Sequence, residues 1–223
     1  MSRVRARVDH AVTAGTFSLD GQTFQVENNV WVVGDDAECV VIDAPHSVEA
    51  ILAVAGDRKV KAILCTHAHD DHVRAAPALR EAVGAPIFLH PDDKPLWDLT
   101  HADDRWDHDL SHDQEIEIGG ATLRALHTPG HAPGAICLYA AELGSVFTGD
   151  TLFQGGPGAT GRSYSDRSIL EGSITDRLFT LPLQTVVHAG HGDDTTIGAE
   201  RTRLMSRRIL SRSRRLRGEE ATP

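Results

Sequence analysis

The chain has 223 residues and a formal net charge of −10 at pH 7, with 40% hydrophobic and 24% charged residues. A chain of this length fits one domain with a substantial core, and its acidic balance argues against nucleic-acid binding. No apolar run approaches the roughly 20 residues that span a bilayer, and the start has no apolar leader. We therefore expect a cytoplasmic protein that contacts neither nucleic acid nor membrane.

The first half of the chain predicts a β meander followed by alternating helices and strands. Strands are expected at 17–19, 22–26, 29–33 and 39–43, with turns at Asp20-Gly21 and Glu27-Asn28. Ser47 is a suitable N-cap for a helix that ends near Ala55. The apolar run 61–66 predicts a buried strand, and residues 73–83 predict the helix behind it.

The second half predicts a strand at 86–90, an irregular polar segment at 91–114, and strands at 115–126, 135–140 and 144–149. A helix at 166–181, a strand at 185–188 and a final helix complete the chain. Strands first, then mixed strand and helix units, favour an α+β fold with two sheets face to face and helices outside. We predict one domain over 1–200 and assign the Arg-rich segment 201–223 to a helix and tail rather than to a second domain.

Four metal-capable side chains follow the strand predicted at 61–66, in the H-x-H-x-D-H motif of residues 67–72. Alternation along an extended segment lets His67 and His69 point to the same side, while Asp71 and His72 follow the turn and point elsewhere. One short loop can therefore supply ligands for two metal ions. Imidazoles and a carboxylate suit zinc, and also iron or manganese.

Three later segments repeat this arrangement of a predicted strand, a glycine-assisted turn and one metal-capable residue. They contribute His131 in T-P-G-H, Asp150 in T-G-D-T-L-F and His191 in G-H-G. Loops at the ends of strands that a core holds in place can bring such residues together. The sequence thus predicts a metal site built from four loops, whereas His127 and His188 lie in strands and are expected to be structural.

These four elements, in this order, resemble those of the metallo-β-lactamase superfamily, and the resemblance covers nearly the whole chain. It implies a four-layer αβ/βα sandwich and a site for two divalent ions, for which we expect zinc, with iron or manganese as alternatives. A carboxylate suits the bridging position because it has two oxygens. The implied ligands are His67, His69 and His131 for the first ion, Asp71, His72 and His191 for the second, and Asp150 between them.

The segment 188–200, H-A-G-H-G-D-D-T-T-I-G-A-E, is similar to the end of glyoxalase II-like hydrolases, which cleave thioesters of small thiols. The resemblance implies that a hydroxide bridging the two metals attacks the thioester carbonyl and that the metals stabilise the oxyanion. Asp71 and Asp150 would tune this hydroxide and accept its proton, and we predict them as the catalytic carboxylates.

The sequence leaves the thiol carrier open. Classical glyoxalase II has an added helical domain that binds glutathione, whereas this chain ends soon after His191. The composition, with 19 Arg against three Lys, is typical of a GC-rich genome, and the stretch 155–166 resembles actinobacterial members of the superfamily. We therefore expect a small-molecule thioester as substrate, with glutathione, mycothiol or another small thiol as its carrier.

The glycine-rich stretch after Asp150 holds two candidate substrate-binding residues. Arg162 would clamp a substrate carboxylate, and Tyr164 would donate a hydrogen bond to it or stack on it. The structural alternative places Arg162 against a backbone carbonyl. Asp43, at the end of the strand 39–43, is a candidate acceptor for the second N–H of a ligand histidine, with an ordinary strand-end role as the alternative.

Other activities are compatible with this fold. A persulfide dioxygenase would use a single iron held by His67, His131 and Asp150, but the complete second ligand set argues against it. A lactonase would use the same two metals on a ring ester. A metal-binding protein without catalytic activity is disfavoured because every ligand is present. The sequence makes no prediction of oligomeric state.

Overall fold

The computed structural model describes residues 6–216, with side chains up to residue 206, and its strands form two six-stranded sheets and a two-stranded ribbon. The first sheet has the order β1-β2-β3-β4-β5-β6 and the second the order β14-β13-β10-β9-β8-β7, while β11 and β12 pair alone. The strands are β1 (Arg7–Leu19), β2 (Gln22–Gly34), β3 (Glu38–Ile42), β4 (Lys59–Leu64), β5 (Ile87–Leu89), β6 (His108–Asp109), β7 (Glu115–Ile118), β8 (Ala121–His127), β9 (Ile136–Ala140), β10 (Ser145–Gly149), β11 (Leu152–Phe153), β12 (Gly156–Pro157), β13 (Val186–Ala189) and β14 (Thr195–Thr196).

Six α-helices are described, and none of them is long and apolar enough to cross a membrane. The Ser47 hydroxyl accepts the Ala50 N–H at 3.2 Å, as predicted for the first of them. The helices are α1 (Val48–Ala55), α2 (Asp70–Val73), α3 (Ala76–Val83), α4 (Lys94–Thr100), α5 (Arg167–Ser173), which continues into a π-helical turn (Ile174–Leu178), and α6 (Ile197–Leu216).

The layers follow from the alternation of side chains along the strands. In β3, Val40 and Ile42 pack between the two sheets, while Cys39 and Val41 pack against the helices on the outer face. The first sheet is covered by α1, α3 and α4, and the second by α5 and α6. The result is the predicted α+β fold, a four-layer αβ/βα sandwich.

The first sheet differs from the prediction at its start. Strand β1 begins at Arg7, ten residues earlier than expected, and pairs with β2 along its whole length. Strand β2 runs straight through the predicted turn at Glu27-Asn28, and Asn28 and Asn29 are buried within it. Asparagine favours turns when the backbone is isolated, but here tertiary hydrogen bonds satisfy both side chains inside the strand.

Three other predicted elements were wrong in their boundaries. The helix at 73–83 is two helices, because Pro77 lies in the first turn of α3, where its missing N–H is not needed. The segment at 91–114 is not irregular, since it contains α4 and β6. The strand at 115–126 is a hairpin that turns at Gly119 and Gly120, both with positive φ. The final helix begins at Ile197, four residues before the segment 201–223 that was assigned to a helix and tail, and residues 217–223 of that segment lie outside the described residues.

Parallel pairing places the site at one edge of the sandwich. Strands β3 and β4 run parallel in the first sheet, and β10 and β13 run parallel in the second. Their carboxyl ends lead into Asp43, His67, Asp150 and His191, respectively. The loop after β8 reaches the same edge, where the Thr66 carbonyl accepts the Ile136 N–H at 2.8 Å.

Candidate metal centre

Three buried histidines bring one ring nitrogen each to a common point. His69 Nδ1 lies 3.0 Å from His67 Nε2 and 3.0 Å from His131 Nε2. Ligand atoms around one ion with bonds of about 2.1 Å lie about 3.0–3.4 Å apart, for octahedral and tetrahedral geometry respectively. The described residues therefore fit a cation at this point, and the buried His69 Nε2 has no hydrogen-bond partner among them.

A second donor set adjoins the first, where the short helix α2 turns Asp71 and His72 away from the His67 side. Asp71 Oδ2 lies 3.3 Å from His191 Nε2 and 3.7 Å from His72 Nε2. The shorter distance falls in the range given above, the longer one is slightly outside it, and the ligand atoms of Asp71, His72 and His191 all lie within 4.8 Å of one another, as a candidate metal site requires. His69 precedes α2 as its N-cap residue, so the two sets are fixed relative to one another by a single helical turn.

Asp150 lies between the two sets and faces both. Its Oδ1 is 3.3 Å from His72 Nε2, and its Oδ2 is 3.5 Å from His131 Nε2 and 3.5 Å from His191 Nε2. Glycine is required nearby, because a Cβ on Gly190 would lie 2.5 Å from Asp150 Oδ1. The structure therefore brings all seven predicted ligand residues together, with the Asp150 carboxylate between the two sets.

The other ring nitrogen of four ligand histidines is held by an acceptor, which fixes the tautomer and leaves the Nε2 lone pair for a metal. Asp43 is one of these acceptors, as predicted, and it also accepts hydrogen bonds from the backbone N–H and the hydroxyl of Thr66. The Nδ1 contacts are His67 with Thr66 Oγ1 (3.1 Å), His72 with Asp43 Oδ2 (2.8 Å), His131 with the Ala159 carbonyl (2.8 Å) and His191 with the Glu27 carbonyl (2.6 Å).

Burial and neighbouring charges divide the two sets electrostatically. Burial and the nearby imidazoles lower the pKa of His67 well below its usual value and that of His69 to about 3. In the second set burial opposes ionisation, yet the charge of His72 and the hydrogen bond with His191 hold the pKa of Asp71 at about 2. The first set therefore offers neutral imidazoles, and the second adds a carboxylate charge.

Comparisons with known proteins agree with this geometry. A family model described as "Metallo-beta-lactamase superfamily" matches residues 24–191. The chain belongs to this superfamily. It is similar to the hydroxyacylglutathione hydrolase GloC of Haemophilus influenzae, with 35% identity over 75% of this chain and 86% of that protein. An uncharacterised protein of Mycobacterium leprae is 32% identical over 78% of this chain and 90% of its own length.

A solved structure of TTHA1623, in a di-iron-bound form, has 35% identity and a TM-score of 0.69 over 78% of this chain and 92% of that chain. The superfamily assignment confirms the resemblance that the four motifs carried. The chain is thus a superfamily metallohydrolase with clustered His and Asp donors. The di-iron-bound form of TTHA1623 shows that a related protein holds iron, one of the alternatives to zinc that the sequence predicts.

Asp93 is a buried carboxylate that sequence reasoning missed. Its Oδ2 accepts the Ala68 N–H at 2.8 Å, between His67 and His69, and its Oδ1 accepts the Gly134 N–H at 2.5 Å, in the loop that carries His131. It thereby ties the two loops of the first set together. Burial raises its pKa to about 7, although both N–H groups favour the ionised form. No local spacing marks this residue in the sequence.

Asn28 was also missed, and it borders the second set. Its Nδ2 donates to Asp71 Oδ2 at 3.0 Å, and its Oδ1 lies 2.9 Å from His46 Nε2. Asn28 is fully buried in β2. The only local signal was the Glu-Asn-Asn run inside an otherwise apolar strand, which we interpreted as a turn.

The two predicted substrate residues lie beside the first set. The Arg162 guanidinium lies over the rings of Phe17 and Phe24, 5.3 and 4.8 Å from their centroids. Among the described residues it forms no ion pair, and it lines a small cavity with His69 and His131. Tyr164 is exposed and has a positive φ of 68°.

A further histidine pair lies away from this centre. The rings of His90 and His127 stack 4.0 Å apart at an interplanar angle of 11°, and together with Asp92 they form a third cluster whose possible ligand atoms lie within 4.8 Å of one another. His127 Nε2 donates to the Pro133 carbonyl at 2.9 Å. These contacts agree with the structural role predicted for His127.

Proposed function

We propose that this superfamily member is a dinuclear metallohydrolase that cleaves thioesters of small thiols. The observation that carries the proposal is the position of Asp150, whose two oxygens face two separate donor sets. A single-metal enzyme has no need of the second set. The relative GloC carries the name of a hydroxyacylglutathione hydrolase, and such a substrate is a thioester.

The metals, when bound, would supply Lewis acidity that lowers the pKa of a water toward neutrality and polarises the thioester carbonyl. His67, His69 and His131 would hold the first ion, and Asp71, His72 and His191 the second. Asp150 Oδ2 and Asp71 Oδ2 lie 3.5 and 3.3 Å from His191 Nε2, and we assign the two carboxylates the role of accepting the proton of the attacking water.

Arg162 supports a substrate that carries an anionic group. Its guanidinium is held over two aromatic rings at the edge of the first donor set and forms no direct ion pair among the described residues, although its charge helps to lower the pKa of Asp20. The backbone around it is fixed, because Asp20 Oδ2 accepts the Ser163 N–H at 2.9 Å and joins this loop to the tip of the β1–β2 hairpin. We propose that Arg162 binds a carboxylate of the acyl group or of the thiol, with Tyr164 beside it.

The test pairs metal content with turnover. We expect about two divalent ions per chain and hydrolysis of S-lactoylglutathione or an acyl-mycothiol, with the preferred thiol identifying the carrier. The variant His69→Ala should lose the first ion and turnover. His112→Ala is the matched control, since His112 lies outside both donor sets, and it should keep both. One iron per chain, with oxygen uptake on a persulfide and no hydrolysis, would favour the dioxygenase and overturn the proposal.

A further inference from the structure

The Asn28 side chain lies among the donor atoms of the second set. Its terminal amide nitrogen is 3.0 Å from Asp71 Oδ2, 3.3 Å from His191 Nε2 and 3.4 Å from His72 Nε2. These three atoms are the ones that would bind the second ion. Neighbouring ligands around an ion with bonds of about 2.1 Å lie about 3.0–3.4 Å apart, so the end of Asn28 has the spacing of a fourth ligand.

Metal binding requires both imidazoles to present a lone pair at Nε2. His72 Nδ1 and His191 Nδ1 are held by the Asp43 carboxylate and the Glu27 carbonyl, so with a metal bound both Nε2 atoms would carry lone pairs. In the structure the Asn28 amide nitrogen faces these two Nε2 atoms and the Asp71 carboxylate. A cation at the same point would repel an amide N–H group and attract an amide oxygen.

His46 gives the amide a means to turn. An amide oxygen and nitrogen have nearly the same shape, so a half-turn exchanges them with little displacement of other atoms. In the structure His46 Nε2 lies 2.9 Å from Asn28 Oδ1 and can donate to it. After the turn, Asn28 Nδ2 would donate to a His46 Nε2 without a proton, and the proton would be on His46 Nδ1, which has no partner among the described residues.

We propose that Asn28 is a further ligand of the second metal ion, bound through Oδ1, with His46 as the positioning residue that accepts the amide N–H. The second ion would then have four protein ligands besides the bridging Asp150 group: Asp71, His72, His191 and Asn28. An added neutral oxygen raises the coordination number and favours iron or manganese, which accept octahedral sets of mixed nitrogen and oxygen, over four-coordinate zinc.

This inference rests on the second metal set of the proposed function but not on thioester cleavage. If both ions bind as described and no thioester is hydrolysed, the substrate proposal alone fails. If thioesters are hydrolysed and changes at Asn28 leave the second ion unaffected, the ligand assignment alone fails.

The experiment compares two substitutions of nearly equal size. Asn28→Asp keeps a side-chain oxygen and adds charge, whereas Asn28→Leu removes the oxygen. We expect the second-site affinity for Mn²⁺ and Zn²⁺, measured by competition with a chromogenic chelator, to stay the same or rise in the Asp variant. In the Leu variant we expect the second-site affinity to fall. Loss of a residue behind a ligand typically lowers metal affinity about 10–100-fold, and the decrease here should be at least as large. First-site affinity should be unchanged in both.

The Asp variant decides between a ligand and a hydrogen-bond donor. If Asn28 acts only by donating to Asp71, an aspartate repels that carboxylate and lowers second-site affinity, which would overturn the assignment. Cobalt substitution gives a second readout, since six-coordinate Co²⁺ absorbs far more weakly than four-coordinate Co²⁺. We expect the visible absorption of Co²⁺ at the second site to strengthen in Asn28→Leu, and an unchanged spectrum would contradict the proposal. Circular dichroism identifies a variant that fails to fold, in which case the Asp variant alone gives the answer.

Discussion

The two donor sets differ in how they attract a cation. The first consists of three histidines whose lowered pKa values keep them neutral, and it has no carboxylate apart from the shared Asp150. The second includes Asp71, with a pKa of about 2, and is backed by Asp43 at 2.8 Å from His72. Cation binding by the first set therefore depends on how its loops position the three histidines. Cation binding by the second set depends on negative charge as well.

The same difference appears in the groups behind the ligands. The first set is braced by backbone contacts, in which Asp93 binds the N–H groups of Ala68 and Gly134. The second set is braced by side chains, chiefly Asp43 and Asn28. Loss of the Asp93 contacts with these backbone N–H groups should therefore weaken binding of the first ion. Changes in side-chain charge should instead alter binding of the second ion.

The largest effect is expected from the residue that the two sets share. Asp150→Asn removes the shared charge and replaces one of its two ligand oxygens by an amide N–H group. We expect metal content to fall from about two ions toward one. Loss of a residue behind a ligand lowers activity about 10–100-fold, and turnover should fall by more than this in Asp150→Asn. Elemental analysis and thioester hydrolysis measure both.

Asp194→Asn is the control for this variant, because Asp194 pairs with His188 at 3.0 Å and lies outside both sets. It should keep two ions and near-normal turnover. If Asp150→Asn also kept two ions and lost less than tenfold in turnover, Asp150 would not bridge the sets.

The sequence predicts a site residue well when local structure alone fixes the position of that residue. His67, His69, Asp71 and His72 share one loop, where strand alternation and a turn decide their directions. His131, Asp150 and His191 each follow a strand end by the same local pattern. Because the core fixes the strands, a local pattern was sufficient to identify the whole ligand set.

Asn28, His46 and Asp93 have no such pattern, and each reaches the site through tertiary packing. Asn28 was assigned to a turn because asparagine has a high turn propensity, yet the long pairing of β1 with β2 keeps it in a strand. Asp93 lies in a polar segment predicted to be irregular, and only the position of α4 against the core brings its carboxylate to Ala68. Contacts that depend on packing between distant segments cannot be obtained from propensities in one sequence.

A second prediction concerns the contacts that Asp93 makes with the backbone of the first set's loops, and it is tested by varying the pH. The pKa of Asp93 is about 7 in the folded protein, above the ordinary value of 3.8, so the folded state binds this proton more tightly than the unfolded chain. The stability from this group is fully present below about pH 4 and is lost as the pH rises through about 7. We therefore expect the unfolding free energy of the metal-free wild type, measured with urea, to include a decrease from this group between about pH 4 and pH 7.

Asp93→Asn should remove this part of the decline, because the amide does not ionise. The variant should also be less stable at low pH by about 1–3 kcal/mol, since one backbone N–H loses its acceptor. Asp103→Asn, at an exposed position whose charge is not among those acting on Asp93, should keep the wild-type pH dependence. An Asp93→Asn protein with an unchanged slope between pH 4 and 7 would show that Asp93 does not titrate in this range.

The smallest expected effect concerns the substrate rather than the metals. Arg162 lies at the edge of the first set but contacts its neighbours through the rings of Phe17 and Phe24. Arg162→Ala should therefore leave both metal ions in place and raise KM for an anionic thioester. A hydrogen bond to a charged group contributes about 1.5–3 kcal/mol, and since Arg162 is partly exposed we expect an increase of about tenfold.

A neutral thioester of similar size separates recognition of charge from general damage to the cleft. Its KM should be nearly unchanged in Arg162→Ala, and kcat for both substrates should stay close to the wild-type value because no metal ligand has changed. Arg167→Ala provides the control on the same segment, since Arg167 is paired with Glu171 at 2.7 Å on the outer helix α5. If KM rose equally for the neutral and the anionic substrate, Arg162 would shape the hairpin through its aromatic contacts instead of binding substrate charge.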